Sequence, residues 1–434
     1  MISPTRLFNK DFVLLWQGQL VSQVGSMVYS VALMFWLKGA TGSATLVGLV
    51  MMASAIPGVL LGPLAGAYAD RHSRRNIIVV TDLVRGLVIC ALAGYVFWRP
   101  DDTSVIITLL FVAAAVNAGL GAFFNPAVGA AIPDIVPAGR VASANSLNQL
   151  SMQVAQFVGQ GTGGVLFRVV GAPALFLLNG LSYILSAISE MFMTIPQEIP
   201  ERQKGRAAVV QSFVTDLREG FAYVWRTVGL RRLFMAAAFL NFFFVPVGIL
   251  MPFFVEDHLR STPDWYGFIM AGMGVGAMVG YLAAGAFSMS GRLRSVLMIT
   301  ALSGLSVMLF VIAPMNDPFP VMAALFVSGL CAGFFNIGVM TILQLSTPSR
   351  IRGRVFGLLG TLAMGLSPIA MGLAGVVADM VDQNIPLLFA SIGAITMCLT
   401  IAMATSRAFR EYLAFEPPAS NEPTVSDQVQ QVSD

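Results

Sequence analysis

An all-α polytopic membrane protein with about twelve transmembrane helices is predicted from three features of this chain. First, 56% of its 434 residues are hydrophobic and only 11% are charged, where a soluble domain needs about 25% charge to cover its surface. Second, the charges gather in short clusters between apolar runs of about 20 residues, each long enough to cross about 30 Å of hydrocarbon as a helix. Third, glycine is abundant, 42 residues, as suits helices that approach closely in lipid. A helix satisfies its own backbone hydrogen bonds where water is absent. The alternating segments of about ten residues that mark a membrane barrel are missing.

The spans are expected in order at 12–37, 44–68, 77–98, 104–127, 146–167 and 173–194, then 233–255, 265–287, 295–314, 319–344, 355–378 and 385–406. An even count puts both termini on one side. Lys and Arg then choose the side. Twenty fall on the terminal side, from Arg6 and Lys10 through Arg71, Arg74, Arg75 and the central connection to Arg407 and Arg410, against Lys38, Arg99, Arg168 and Arg260 opposite. Both termini are expected in the cytoplasm. Basic residues spread over loops in this way determine topology, so the net charge of +3 is no sign of a nucleic-acid partner. The connection 195–232 contains an amphipathic stretch from Phe213 to Phe234, expected as a helix lying on the membrane surface. Residues 411–434 read as a disordered polar tail.

The chain repeats itself. Phe123-Phe124-Asn125 recurs as Phe334-Phe335-Asn336, an offset of 211 residues, and at that offset Pro137 matches Pro348, Leu147 matches Leu358, Gly161 matches Gly372 and Gly164 matches Gly375. Two pseudo-symmetric six-helix halves follow, 1–194 and 233–410. A site between such halves can face either side as they rock.

The loop after the second span reads Gly66-Ala-Tyr-Ala-Asp70-Arg71-His72-Ser73-Arg74-Arg75. It resembles the signature Gly-x-x-x-Asp-Arg-x-Gly-Arg-Arg of the major facilitator superfamily, departing at Ser73. Gly18-Gln19-Leu-Val-Ser22-Gln23, Asp82-Leu-Val-Arg85, Phe123-Phe-Asn-Pro126-Ala and Arg352-Gly-Arg354-Val-Phe are similar to the subgroup holding macrolide-efflux proteins and siderophore exporters. The resemblance covers residues 8–408. It implies the major facilitator fold, a monomer, and a gating loop at Gly66, Asp70, Arg71, Arg74 and Arg75 that latches the second span to the eleventh. Two departures stand out. Drug exporters carry an Arg in the fourth span where this chain has Asn117. Antiporters carry Gly-Pro-x-x-Gly-Gly in the fifth, where this chain reads Gly159-Gln160-Gly161-Thr162-Gly163-Gly164.

Polar residues inside the spans mark where chemistry is possible, because lipid cannot satisfy them. Gln19, Ser22, Gln23, Ser26 and Ser30 share one helix face at i, i+3, i+4, i+7 and i+11; they line a solute cavity or bond neighbouring helices. Asn117, Asn125, Asn241 and Asn336 are further cavity candidates. Asp82 and Arg85 are i, i+3 neighbours able to pair on one face. They are the coupling candidates, with Glu190 as a third that can instead snorkel to the interface. No nucleophile–base set, phosphate-cradling loop or metal-ligand spacing is visible, so no enzyme, cofactor or metal is expected. The expected function is secondary active transport by alternating access, with the proton as coupling ion and a drug-like, macrolide-like or secreted amphipathic metabolite as exported substrate. Lysolipid or siderophore transport on the same fold is the alternative, and a non-transporting sensor or assembly partner is the alternative of another class.

Overall fold

The computed structural model describes residues 6–197, 215, 218–286 and 291–415. Among these, every regular element is helical. The first half contains α1 (Lys10–Thr41), α2 (Ala44–Ala53), α3 (Ile56–Ala69), α4 (Arg74–Trp98), α5 (Thr103–Ile135), α6 (Val141–Val170) and α7 (Ala172–Met191). After α8 (218–226), the second half contains α9 (Val228–Phe253), α10 (Asp264–Ala286), α11 (Gly291–Ile312), α12 (Pro318–Ser346), α13 (Ser349–Met380), α14 (Ile385–Thr405) and α15 (Arg407–Leu413).

Eleven of the described segments are long and apolar enough to cross a membrane. The fifth expected span, α6, is the exception. Its 30 residues give about 45 Å of helix, ample for a bilayer, but carboxamides lower its hydropathy. The second span departs from the expected continuous helix. It breaks between Ala53 and Ile56, because Pro57 at the start of α3 disfavours helical backbone in the residue before it and offers no N–H to the preceding turn. The last half also runs further than expected. Arg407–Leu413 is helical, with Phe409 and Leu413 fully buried, where a disordered tail was expected from residue 411. In the connection, α8 stops at Thr227 rather than running into the next span, and Phe221 stacks on Trp225 at 5.1 Å. Phe213 and residues 416–434 lie outside the described residues.

Each half packs in the same way. In the first, α4 lies against α5 and α7, and α1 against α6 and α7; in the second, α11 lies against α12 and α14, and α9 against α13. Across the halves, α6 packs on α10 and α2 on α13. One apolar cluster joins both halves at the end away from the termini, running from Val28 and Phe35 to Phe254 and Phe389. At the terminal end each half has its own cluster, around Phe12 and Ile132 in one and Leu233 and Phe409 in the other. The halves are therefore joined at one end and part toward the other.

The repeat register explains the joined end. A Cβ on Gly164 of α6 would meet the Pro263 carbonyl oxygen at 2.0 Å, and one on Gly375 of α13 would meet that of Ala44 at 2.1 Å. These two glycines, 211 residues apart, let each helix touch the start of its partner across the interface. One turn further, Arg168 pairs with Asp264 at 2.9 Å. At the equivalent place Asp379 accepts from the N–H groups of Ala44 (3.0 Å) and Thr45 (2.9 Å) and from the Ser43 hydroxyl (2.8 Å). Those N–H groups are the unpaired donors of a helix start, and a carboxylate there also meets the favourable end of the helix dipole. Lys38 adds a third link, to Glu256 at 2.6 Å and Asp257 at 2.9 Å.

Gly164→Val and Gly375→Val are each expected to hold this end apart. With Cys90, Cys331 and Cys398 replaced by Ser, spin labels at Trp98→Cys and Phe319→Cys should give one narrow distance distribution in the parent. A longer population should dominate in either valine variant. An unchanged distribution in the folded variants would show that the clasps do not close the molecule.

Candidate functional site

Helix α7 carries a polar stripe, Asn179, Ser182, Tyr183, Ser186 and Glu190, with the same i, i+3, i+4, i+7, i+11 spacing as the stripe on α1. The two stripes face each other. Gln19 donates to Glu190 Oε1 at 3.4 Å, Ser186 donates to the same oxygen at 3.2 Å, and the Ser26 and Tyr183 hydroxyls lie 2.8 Å apart. Gln23 donates to Gln19 at 3.4 Å, and Ser22 to the Gln19 carbonyl at 3.2 Å. The α1 stripe is thus mostly a helix–helix network within one half, and Gln19 and Ser22 are buried. Of the two readings open for this stripe, these contacts favour helix–helix bonding for Gln19 and Ser22. Ser30 is half-buried further toward the joined end.

The same network holds the membrane charges. Asp82 and Glu190 are both 0% exposed. Glu190 does not snorkel, since α7 places it inward against α1 and α4. Arg85 reaches Asp82 at 3.3 Å and the Asn117 carbonyl at 3.3 Å. Its guanidinium sits over the rings of Phe124 (5.0 Å) and Tyr183 (5.4 Å), an arrangement that suits a poorly hydrated cation. Gly121 opens the path, because a Cβ there would lie 2.4 Å from the guanidinium. Asp82 Oδ2, Glu190 Oε2, Arg85 Nε, Asn117 Oδ1, Asn179 Oδ1 and Gln23 Oε1 are buried without a hydrogen-bond partner. Such atoms are rare in a purely structural core. Among the described residues, the second half buries the hydroxyls of Ser295, Ser306, Ser328, Thr347, Thr396 and Thr400 and one charged side chain, Arg294, but no carboxylate.

Asn125 and Asn336 show the repeat in physical form. Each follows a half-buried and then a buried phenylalanine and is itself exposed. Asn241 is exposed too and donates to the Ala237 carbonyl at 3.1 Å. These three remain candidates for the space between the halves. Asn117 instead backs the Arg85 guanidinium.

The gating loop is built as a helix stop and restart. Asp70 ends α3, and Ser73 begins α4 by accepting from the Asn76 N–H at 3.4 Å. The departure from glycine at Ser73 is thus a helix cap. Arg74 pairs with Asp134 of α5, and Arg75 donates to the Met191 carbonyl. His72 stacks on Tyr68 at 3.8 Å, beside a cavity of about 790 Å³ between α3, α4 and α5. Gly66 meets no neighbour that a Cβ would touch in this conformation. Asp70 is exposed and in no ion pair among the described residues.

Sequence reasoning missed Asn179, Ser182, Tyr183 and Ser186, although their spacing repeats that of α1. It also missed the carboxamides of α6, which share that helix with the glycine run Gly159, Gly161, Gly163 and Gly164.

Comparison with known proteins agrees with this architecture. A family model described as transmembrane secretion effector matches residues 2–433. Macrolide efflux protein A of Streptococcus pyogenes is 25% identical over 394 residues, 90% of this chain and 94% of that protein. Multidrug efflux pump Tap of Mycolicibacterium fortuitum is 28% identical over 380 residues, 83% and 87% of the two chains. Among solved structures, a bacterial homolog of the human lysosomal transporter Spinster, inward-facing and unoccupied, aligns with TM-score 0.65 at 16% identity over 93% of this chain and 96% of its own. The nucleoside transporter NupG (D323A mutant) aligns with TM-score 0.68 at 13% identity, over 91% and 100%. These two share the fold. The chain belongs to the transmembrane secretion effector family of the major facilitator superfamily and is an integral membrane transporter.

Proposed function

We propose that this protein is a proton-coupled exporter of amphipathic small molecules. It works by alternating access as a monomer in a bacterial inner membrane, with both termini in the cytoplasm. The observation that carries the reading is the sealed group of Asp82, Glu190 and Arg85. Two carboxylates and one guanidinium are buried inside a single half, with Arg85 ion-paired to Asp82 alone among the described residues, so the group holds one negative charge in excess when all three are ionised. Each unpaired ion in such an interior costs several kcal/mol, and one proton shared by the two carboxylates makes the group neutral. The proton therefore has a natural seat, out of contact with solute. The relatives named for macrolide and multidrug efflux support outward movement of a compound with apolar bulk.

Arg85 also supplies what the Asn117 departure removes. Its guanidinium comes from α4 but lies against α5 at Asn117, the place where drug exporters carry an Arg. Proton loss leaves the excess charge on Asp82 and Glu190 and tightens their hold on Arg85. Because α1 carries both Gln19 in this network and Lys38 in the clasp, a shift of α1 against α7 reaches the joined end. With the termini in the cytoplasm, the open end faces the cytoplasm and the clasps close the outer side.

In liposomes carrying an imposed proton gradient, wild-type protein should move amphipathic dyes or macrolides. Asp82→Asn should abolish gradient-driven movement, with a loss of about a hundredfold or more, the scale of removing a proton carrier. Insertion and binding should remain. Wild-type rates in Asp82→Asn would overturn the coupling role. Glu190→Gln should keep the fold and lose the pH dependence of transport, and a wild-type pH profile in it would remove Glu190 from the pair.

A further inference from the structure

Helix α6 is the one long described helix that fails the apolarity expected of a span, and its polar residues are not scattered. Gln149, Gln153, Gln156 and Gln160 lie at i, i+4, i+7 and i+11, a single stripe at about 100° per residue. The first three are exposed and Gln160 is half-exposed. None serves the helix packing. The face toward α1 is formed by Ser151, which accepts from Trp16 Nε1 at 2.7 Å, and by Gly159 and Gly163 against Met27 and Val31. The face toward α10 is formed by Gly161 and Gly164 against Ala271 and Pro263. Around the helix, the carboxamide stripe falls between these two faces. The remaining sector carries exposed Leu150, Val154 and Val158 and suits lipid. Since α1 belongs to one half and α10 to the other, the stripe lies in the angle where the halves part. Lipid would leave four carboxamides unsatisfied at several kcal/mol each.

The wall is polar without being charged. Among the described residues, the buried charged side chains are Lys38, Asp82, Arg85, Glu190 and Arg294, and none of them belongs to α6. A carboxamide both donates and accepts but offers a cation no countercharge. From Gln149 to Gln160 the stripe extends about 16 Å at 1.5 Å per residue.

We infer that the α6 carboxamide stripe is the recognition wall of the transport path, and that it selects uncharged, oxygen-rich amphipaths. Such a ligand carries carbonyl, ether and hydroxyl oxygens along one edge and apolar bulk on the other, as macrocyclic lactone polyols do. This rests on the proposed transport reading, but not on its coupling ion. Net charge on the ligand is selected against by the absence of a partner, while extended arrays of oxygen are selected for by the ladder of amides.

The test is equilibrium binding to purified full-length protein in lipid nanodiscs with no gradient, so failure of proton coupling leaves the readout intact. The probes are a tritiated, uncharged macrolactone polyol lacking an amino sugar, and tetraphenylphosphonium as a cation of comparable apolar bulk. Wild type should prefer the macrolactone. Gln153→Leu/Gln156→Leu should weaken its binding by about tenfold, the scale of losing one or two hydrogen bonds. Gln153→Glu should raise tetraphenylphosphonium affinity by a similar factor. These leucines make the span more apolar, so insertion should survive; an unchanged unfolding temperature and monodisperse elution check this, with Gln149→Leu as a second variant. Three results would each overturn the inference: no macrolactone binding by folded wild type, unchanged binding in the folded leucine variants, or wild-type preference for the cation.

Discussion

A charge inside the hydrocarbon layer must find its counterpart within the protein, and most of this structure can be read from how that demand is met. Asp82, Arg85 and Glu190 come from two helices and are sealed by a third and a fourth. α1 provides Gln19, and α5 provides the Asn117 carbonyl together with the gap at Gly121. The polar stripes of α1 and α7 exist to face one another around these groups. Because three ionisable groups cannot pair off evenly, the network is left with unpartnered oxygens on both carboxylates. A core built only for stability would avoid such atoms. Among the described residues, the unpartnered carboxylate, guanidinium and carboxamide atoms all lie in the first half, and the second half has only the Thr347 hydroxyl.

The second constraint is steric. Two halves can close on each other only where backbone meets backbone, and the repeat puts glycines at those places in both. Gly164 and Gly375 occupy equivalent positions and perform the same contact with the start of the opposing helix. The ionic partner one turn further has opposite sign in the two halves, Arg168 against Asp264 and Asp379 against the start of α2. The duplication therefore kept the geometry of closure while changing its chemistry. This arrangement resists opening through several moderate contacts rather than one strong one, which suits an end that must release.

Much of this was legible in the sequence. Span positions followed from hydropathy because lipid imposes length and composition directly, and α14 was placed within one residue of its observed end. The Asp82–Arg85 pair followed from i, i+3 spacing. Glu190 could not be joined to it from sequence, because only the packing of α7 on α4 and α1 brings the groups together. The break before Pro57 escaped notice because a hydropathy run is blind to one missing N–H. The α1 stripe left two readings open, and only the facing stripe on α7 chose between them. The α6 carboxamides were visible as letters, but their meaning depended on which helices covered the neighbouring faces.

The central claim is that the sealed carboxylate pair holds a proton while Arg85 stays charged. Infrared difference spectroscopy on protein in lipid, recorded across a pH titration, reads this directly through the carbonyl band of a protonated carboxylic acid. One carboxyl proton per protein should appear in that band, shift in deuterium oxide, and disappear in both Asp82→Asn and Glu190→Gln. If no such band appears at any pH at which the protein is folded, or if it survives in both variants, the pair carries no exchangeable proton and the coupling mechanism is wrong.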